Sequence, residues 1–209
     1  AFDGSEYHVY VNAAGRFTDE PVVVRALGGQ AFGPGTRVYP AGDLDGDGRL
    51  DAVFHRREGY VIAAYGAERG RRPDFSRVTV LRPEPAEMTR FAQSVVAGDF
   101  TGDGLTDLVI GNIRPDFSTV VQLFPGDPRG LAARAAQSFD VADGFFGSAT
   151  AGDYNADGAL DVAVGEPDWR SGAGRCFWLS GHPGAGRWLV LRAYLTHGDG
   201  AARMGFSVW

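Results

Sequence analysis

Residues 41–56 read AGDLDGDGRLDAVFHR: four aspartates within nine positions, followed by an abrupt apolar run. Carboxylates this close repel one another, so their crowding calls for a compensating partner. A flexible acidic turn, a metal site and a pair of catalytic carboxylates are the three chemistries such a stretch suggests. The stretch recurs, as AGDFTGDGLTDLVIGN from Ala97 and as AGDYNADGALDVAVGEP from Ala151. Its first aspartates are Asp43, Asp99 and Asp153, spaced by 56 and then 54 residues. Self-similarity at a nearly constant period is the signature of a repeat architecture.

Each copy is framed in the same way. An apolar stretch precedes the loop (TRVYPAGD, FAQSVVAGD, FFGSATAGD), and a short β-rich run follows it (DAVFHR, DLVIGN, DVAVGEP). A third run comes next (YVIAAYG, TVVQLFPG, RCFWLSG), and a fourth closes the unit (FSRVTVLR, RAAQSFDV, RWLVLRAYL). All are short, rich in β-branched and aromatic residues, and bounded by Gly, Pro, Asn or Asp. RAAQSFDV is the weakest of the twelve, because LAARAAQ also reads as a helical turn. Four strands per repeat describe a blade of an all-β propeller, with the aspartate loop between first and second strands.

The phase of the chain completes this organisation. Residues 7–24, YHVYVNAAGRFTDEPVVV, resemble the third and fourth strands of a blade, and the closing MGFSVW matches the start of a further loop-bearing strand. The expected division of residues 1–209 is a partial blade at 1–30, repeats at 31–85, 86–140 and 141–200, and the beginning of another unit at 201–209. Closed propellers use roughly four to eight blades. A second copy, or an additional chain completing the ring, is therefore an expected partner.

Aligned, the loops read D-x-(D/T/N)-x-D-G-x-x-D. The first offers Asp43, Asp45, Asp47 and Asp51; the second Asp99, Thr101, Asp103 and Asp107; the third Asp153, Asn155, Asp157 and Asp161. Position three varies only among oxygen-bearing side chains. Position six is glycine each time (Gly48, Gly104, Gly158), as a turn with positive φ requires. Position seven is Arg49, Leu105 or Ala159, a tolerance expected of a residue that contributes only its backbone carbonyl. Oxygen ligands at alternate positions around a glycine turn suit a hard cation, and Ca2+ accepts about six to eight of them in flexible geometry. The loops hold no His or Cys, which argues against zinc and copper. Mg2+ fits less well because it keeps several waters. The competing reading is an unliganded Asx-rich turn, and threefold recurrence weighs against it. The expectation is three Ca2+ sites.

Neighbouring calcium motifs separate from this one. An EF-hand needs an acidic ligand at position twelve, where this chain has Phe54, Ile110 or Val164. Thrombospondin-type repeats depend on cysteines, and this chain has one. The loops and their flanks resemble FG-GAP repeats, the units of the integrin α-subunit propeller, and the related bacterial VCBS-type repeats. The third copy carries the fullest resemblance: Phe146-Gly147, the loop, then Gly165-Glu166-Pro167 where the family often has Gly-Ala-Pro. The first two lack the Phe-Gly pair and end in HRR and GNI. The resemblance implies a calcium-stabilised, secreted or extracellular propeller that serves as a scaffold or recognition module.

Composition is consistent with that reading. Net charge is −6, yet ten of the 26 acidic residues lie in the loops. With those set aside, sixteen acids face twenty basic residues, all of them arginine, which suggests a GC-rich genome more than a binding role. Three bound Ca2+ bring the chain to about neutrality. Arg69, Arg71 and Arg72 read as a solvated loop, and no motif supports a nucleic-acid partner. No apolar run approaches the roughly 18 residues of a membrane span. The N-terminus has no basic and apolar regions of a signal peptide. Cys176 reads as a small buried hydrophobe.

Catalysis finds no constellation. An active site would not ordinarily be tripled, the four histidines are scattered, and no GxSxG or HExxH occurs. GGQAFGPG (28–35) lacks the Lys-Ser/Thr ending of a phosphate loop and reads as an inter-blade connection. A lectin-like, carbohydrate-binding propeller is the alternative function, on the loop-borne Trp169 with Asp168 and Arg170, whereas Trp178, Trp188 and Trp209 sit on expected strands and read as packing. An accessory part of a polysaccharide-active enzyme is the other. The ligand, protein or glycan, is not specified by these residues.

Overall fold

The computed structural model describes residues 6–10, 12–13, 16–17, 22–27, 29–33, 35–56, 59–69, 72–82, 90–141, 147–167, 174–182 and 188–196. Phe146, the 168–170 segment with Trp169, Arg71 and the whole of 201–209 lie outside the described residues. Among the described residues there are strands and turns and no helix.

Near the N-terminus the strands are short. β1 (Tyr7–Val9) pairs antiparallel with β4 (Val22–Val24) in a two-stranded sheet, and β2 (Asn12–Ala13) pairs with β3 (Arg16–Phe17) between them. β5 (Ala26–Leu27) and β6 (Gln30–Ala31) form a tight ladder across Gly29. The glycine-rich connection is thus partly paired. It also delivers an anchor, since Phe32 is buried with its ring stacked 5.0 Å from Phe54.

Three four-stranded antiparallel sheets follow. The first joins β7 (Thr36–Gly42), β8 (Asp51–Arg56) and β9 (Tyr60–Ala64), with the ladder of β10 (Ala67–Arg69) and β11 (Arg72–Asp74) intervening before β12 (Val78–Leu81). Arg69 and Arg72 are therefore register partners in a paired ladder, where the sequence suggested a solvated loop. The second sheet is β13 (Arg90–Gly98), β14 (Asp107–Ile113), β15 (Thr119–Phe124) and β16 (Gln137–Val141). The third is β17 (Ser148–Gly152), β18 (Asp161–Glu166), β19 (Arg175–Gly181) and β20 (Leu189–Thr196). Each is a meander in which chain neighbours pair. In the weakest run the strand begins only at Gln137, and 131–136 is irregular rather than helical.

The inner strands of the first two sheets read as nearly unbroken apolar runs because those sheets are covered on both faces. In β8, Val53 and Phe54 point to opposite faces, as successive strand residues must. Phe54 packs with Ile62, Ala64, Val24 and Phe32. Val53 packs with Val61 and Ala63 against Leu108 and Ile110 of the second sheet. One residue along, Val109 joins Val121 and Leu123 against Val162, Val164, Phe177 and Leu179 of the third. Burial of each such side chain contributes about 1.5–3 kcal/mol before the entropy of ordering it. The sheets thus stack in chain order, and β13 lies beside β7 on one flank and β17 on the other. The three loops that follow these first strands are thereby placed side by side.

Candidate metal centre

Each aspartate loop folds around its first carboxylate. Asp43 Oδ1 accepts the Gly46 and Asp47 N–H groups at 2.7 and 3.1 Å, and its Oδ2 accepts Gly48 N–H at 2.9 Å. Asp99 does the same for Gly102, Asp103 and Gly104 at 2.7, 3.2 and 2.9 Å. Asp153 accepts from Asp157 and Gly158 at 3.1 and 2.9 Å. The sixth-position glycines have φ of 81, 88 and 87°, a backbone that residues with a Cβ avoid. Position five turns back on position seven: Asp47, Asp103 and Asp157 each accept a 2.9 Å hydrogen bond from the N–H of Arg49, Leu105 and Ala159. That bond and a second from Asn155 hold the Asp157 carboxyl below the usual carboxylate range.

The ninth aspartates are of a different kind. Asp51, Asp107 and Asp161 are buried, and both oxygens of each are held by backbone donors. One oxygen accepts from position two of its own loop: Leu44 at 2.7 Å, Phe100 at 2.8 Å, Tyr154 at 3.0 Å. Asp107 also takes Thr101 N–H at 2.9 Å. The other accepts from a glycine just beyond the third strand or at its end: Gly66 at 2.7 Å, Gly126 and Gly181 at 2.8 Å. The carboxylate therefore ties the loop to the far strand of its own sheet. Burial pushes the Asp51 carboxyl up and the Asp107 carboxyl up to about 6, because a desolvated carboxylate disfavours its charge.

Those glycines are functional residues that pattern reading passed over, although all three runs YVIAAYG, TVVQLFPG and RCFWLSG end in one. A Cβ at Gly126 would stand 2.6 Å from the Thr106 carbonyl oxygen, and one at Gly66 or Gly181 would collide with the carbonyl of Leu50 or Leu160. The eighth loop residue approaches the third strand that closely in every repeat.

Asp43, Asp45 and Asp51 bring carboxylate oxygens within 4.8 Å of one another, a grouping able to hold a cation. Asp47 stands apart, its second oxygen 3.0 Å from Arg49 Nη1. Asp45 is also ion-paired with Arg77, whose guanidinium lies 4.5 Å over the Tyr65 ring and donates to the Pro128 carbonyl at 3.0 Å. Nothing in the sequence marks Arg77, which reaches the loop from 32 residues away. The second loop has Thr101 at the position of Asp45, with a buried hydroxyl that no hydrogen bond satisfies. In the third, Asn155 bonds Asp157 through both ends of its amide at 2.8 Å. The three loops thus share one backbone arrangement, and the first brings three of its four carboxylates together.

The molecule is accordingly a repeat protein of stacked four-stranded sheets, each bearing an aspartate loop between its first two strands. Residues 91–114, in the second sheet, match the family model of the FG-GAP repeat, which supports a repeat protein of that type. The match falls on the second repeat, not on the third with its Phe146-Gly147 pair. The matched stretch begins at Phe91-Ala92, one place earlier relative to Asp99 than Phe146-Gly147 stands relative to Asp153. Ala92 adopts φ of +52°, the backbone a glycine would favour, and its N–H donates to Asn112 Oδ1 at 2.8 Å. A search of curated proteins finds no match to the chain.

Proposed function

We propose that the sheets are blades of a β-propeller, that Ca2+ bound in the three loops stiffens them, and that the assembly serves as an extracellular recognition scaffold. The supporting observation is the threefold recurrence of one loop backbone, together with the cluster of Asp43, Asp45 and Asp51 in the first loop and the unpartnered, buried Thr101 hydroxyl in the second. The ligand set follows the loop positions: 43, 45, 47 and 51; 99, 101, 103 and 107; 153, 155, 157 and 161; with the carbonyls of Arg49, Leu105 and Ala159. A cation there neutralises carboxylates that otherwise repel, and it bridges the two strands that each loop joins. Extracellular placement follows from the chemistry, since calcium is plentiful outside cells and keeps even weak sites filled. The assignment is to binding, and no catalytic residue is included. Among the described residues no helix is long and apolar enough to cross a membrane.

Thermal unfolding with calcium and with excess chelator tests the proposal. A site that binds only the folded chain stabilises it by about 2.7 kcal/mol when the ion is at a hundredfold excess over Kd. The melting temperature should rise steeply with calcium and little with magnesium. Superimposable melts in calcium and chelator would refute it.

A further inference from the structure

Two backbone ties join the first aspartate loop to the second. In one, Thr106 at position eight of the second loop donates its N–H to the Asp43 carbonyl at 2.7 Å. Its side chain fills the space where Gly42 lacks a Cβ, and Leu105 Cδ2 lies 2.9 Å from where a Gly46 Cβ would be. The other tie is a relay between the two ninth aspartates. Asp107 accepts Gly126 N–H at 2.8 Å, and the next residue, Asp127, donates its N–H to the Leu44 carbonyl at 3.2 Å. Leu44 in turn donates its own N–H to Asp51 at 2.7 Å. Neither tie passes through Arg77, so exchange of the guanidinium at Asp45 leaves both in place.

The second and third loops meet differently. Leu160, position eight of the third loop, makes an apolar contact, its Cδ1 2.7 Å from a Cβ built on Gly98. Among the described residues no backbone hydrogen bond joins these two loops. Gly181 holds the place of Gly126, yet its nearest neighbours, the Leu160 carbonyl and Ala159 Cβ, belong to its own loop. A Cβ at Gly126 meets a carbonyl from each of two loops, Thr106 at 2.6 Å and Leu44 at 2.8 Å. His182, which follows Gly181, gives its N–H to the Trp188 carbonyl at 2.6 Å and not to the preceding loop.

We infer that the first and second loops bind calcium as a positively coupled pair while the third binds it independently, an inference that rests on the calcium reading proposed above. The coupling is one of shared ordering. Asp43, Asp51 and Asp107 are ligand positions, and the ties at 105–106 and 126–127 hold the backbone of both loops together. Whichever loop fills first fixes those segments, so its neighbour loses less conformational entropy when it fills in turn. The coupling is reciprocal, as binding linkage requires. The third loop shares only side-chain packing with the second, and its ordering leaves the second loop's backbone as it was.

Calorimetric titration of the chain with calcium tests this, using Asp47→Ala, Asp103→Ala and Asp157→Ala to silence one loop at a time. These position-five aspartates are exposed in all three loops, and a circular dichroism melt confirms that each variant is folded. Pairwise combinations leave one loop able to fill and give its isolated affinity. In Asp157→Ala, the product of the two binding constants should exceed the product of the isolated values by about fivefold or more. In Asp47→Ala, the second and third loops should match their isolated values within about twofold. As a second readout, calcium should slow amide exchange at Thr106 and Asp127 even where only the first loop can fill. A first and second loop that bind independently overturn the inference, while uptake at three sites leaves the calcium reading standing. Coupling between the second and third loops as strong as between the first and second overturns it too, and a chain that takes up no calcium overturns both readings.

Discussion

Replacing Asp107 by alanine separates two roles that the loop pattern runs together. Asp103 and Asp107 are equal members of the expected calcium set, yet the structure places them differently. Asp107 is buried and accepts three backbone hydrogen bonds, from Phe100 (2.8 Å), Thr101 (2.9 Å) and Gly126 (2.8 Å). Asp103 is exposed and accepts one, from Leu105. An orphaned buried donor costs about 1–3 kcal/mol, so three amount to about 3–9 kcal/mol. Removing a carboxylate whose charge burial disfavours, with its pKa pushed up to about 6, offsets part of this. The net loss expected for Asp107→Ala is about 2–5 kcal/mol. Asp103→Ala should cost about 1 kcal/mol or less, because water solvates what it exposes. The assay is urea denaturation in excess chelator, where metal ligation contributes nothing and m-values report whether the unfolded reference has changed. Equal losses for the two variants, or a loss for Asp107→Ala below about 1 kcal/mol, would show that the ninth aspartate braces nothing without metal.

Two glycines distinguish close approach from backbone conformation. Gly126→Ala places a Cβ among the Thr106 carbonyl (2.6 Å), the Leu44 carbonyl (2.8 Å) and Leu105 Cβ (2.9 Å); it should cost about 2 kcal/mol or more. Gly48→Ala meets nothing within 4 Å and carries only its positive φ, a cost of about 1–2 kcal/mol; chemical denaturation in chelator orders them, and the reverse order refutes the packing argument. Arg77→Met keeps an apolar stem over Tyr65 but leaves the buried Asp45 carboxylate without its cation. In chelator it should destabilise by about 1–2 kcal/mol, the arginine being half exposed. In excess calcium the deficit should shrink and first-loop affinity, read by calorimetry, should rise. A deficit as large in calcium as in chelator sinks the view that guanidinium and ion compete for Asp45.

The strand order was legible because its determinants are local. Alternation and β-branched runs place the twelve strands, and D-x-x-x-D-G with its period places the loops between first and second strands. The same residues explain why TVVQLF and DLVIGN read as continuous apolar runs: their sheet is buried on both faces. What could not be read is whatever depends on atoms distant in the chain. Arg77 reaches Asp45 across 32 residues, and Tyr65 Oη accepts from Leu131 N–H across 66. No spacing rule announces such pairs. The ladder of β10 and β11 was hidden because its residues, AER and RPD, lack the apolar alternation that marks a strand facing a core.

The loop that begins at Ala41 shows where the division falls. Its oxygen-bearing positions and its glycine turn are properties of a short segment, and side-chain chemistry plus φ preference suffice to read them. Which carboxylates converge, and which are spent on backbone donors, depends on where the third strand and the next loop come to rest. Asp51 and Asp47 look alike in sequence. Packing buries the first against Leu44 and Gly66 and leaves the second to Arg49 at the surface. The repeat determined the fold, and the stacking of one repeat on the next decided what each aspartate does.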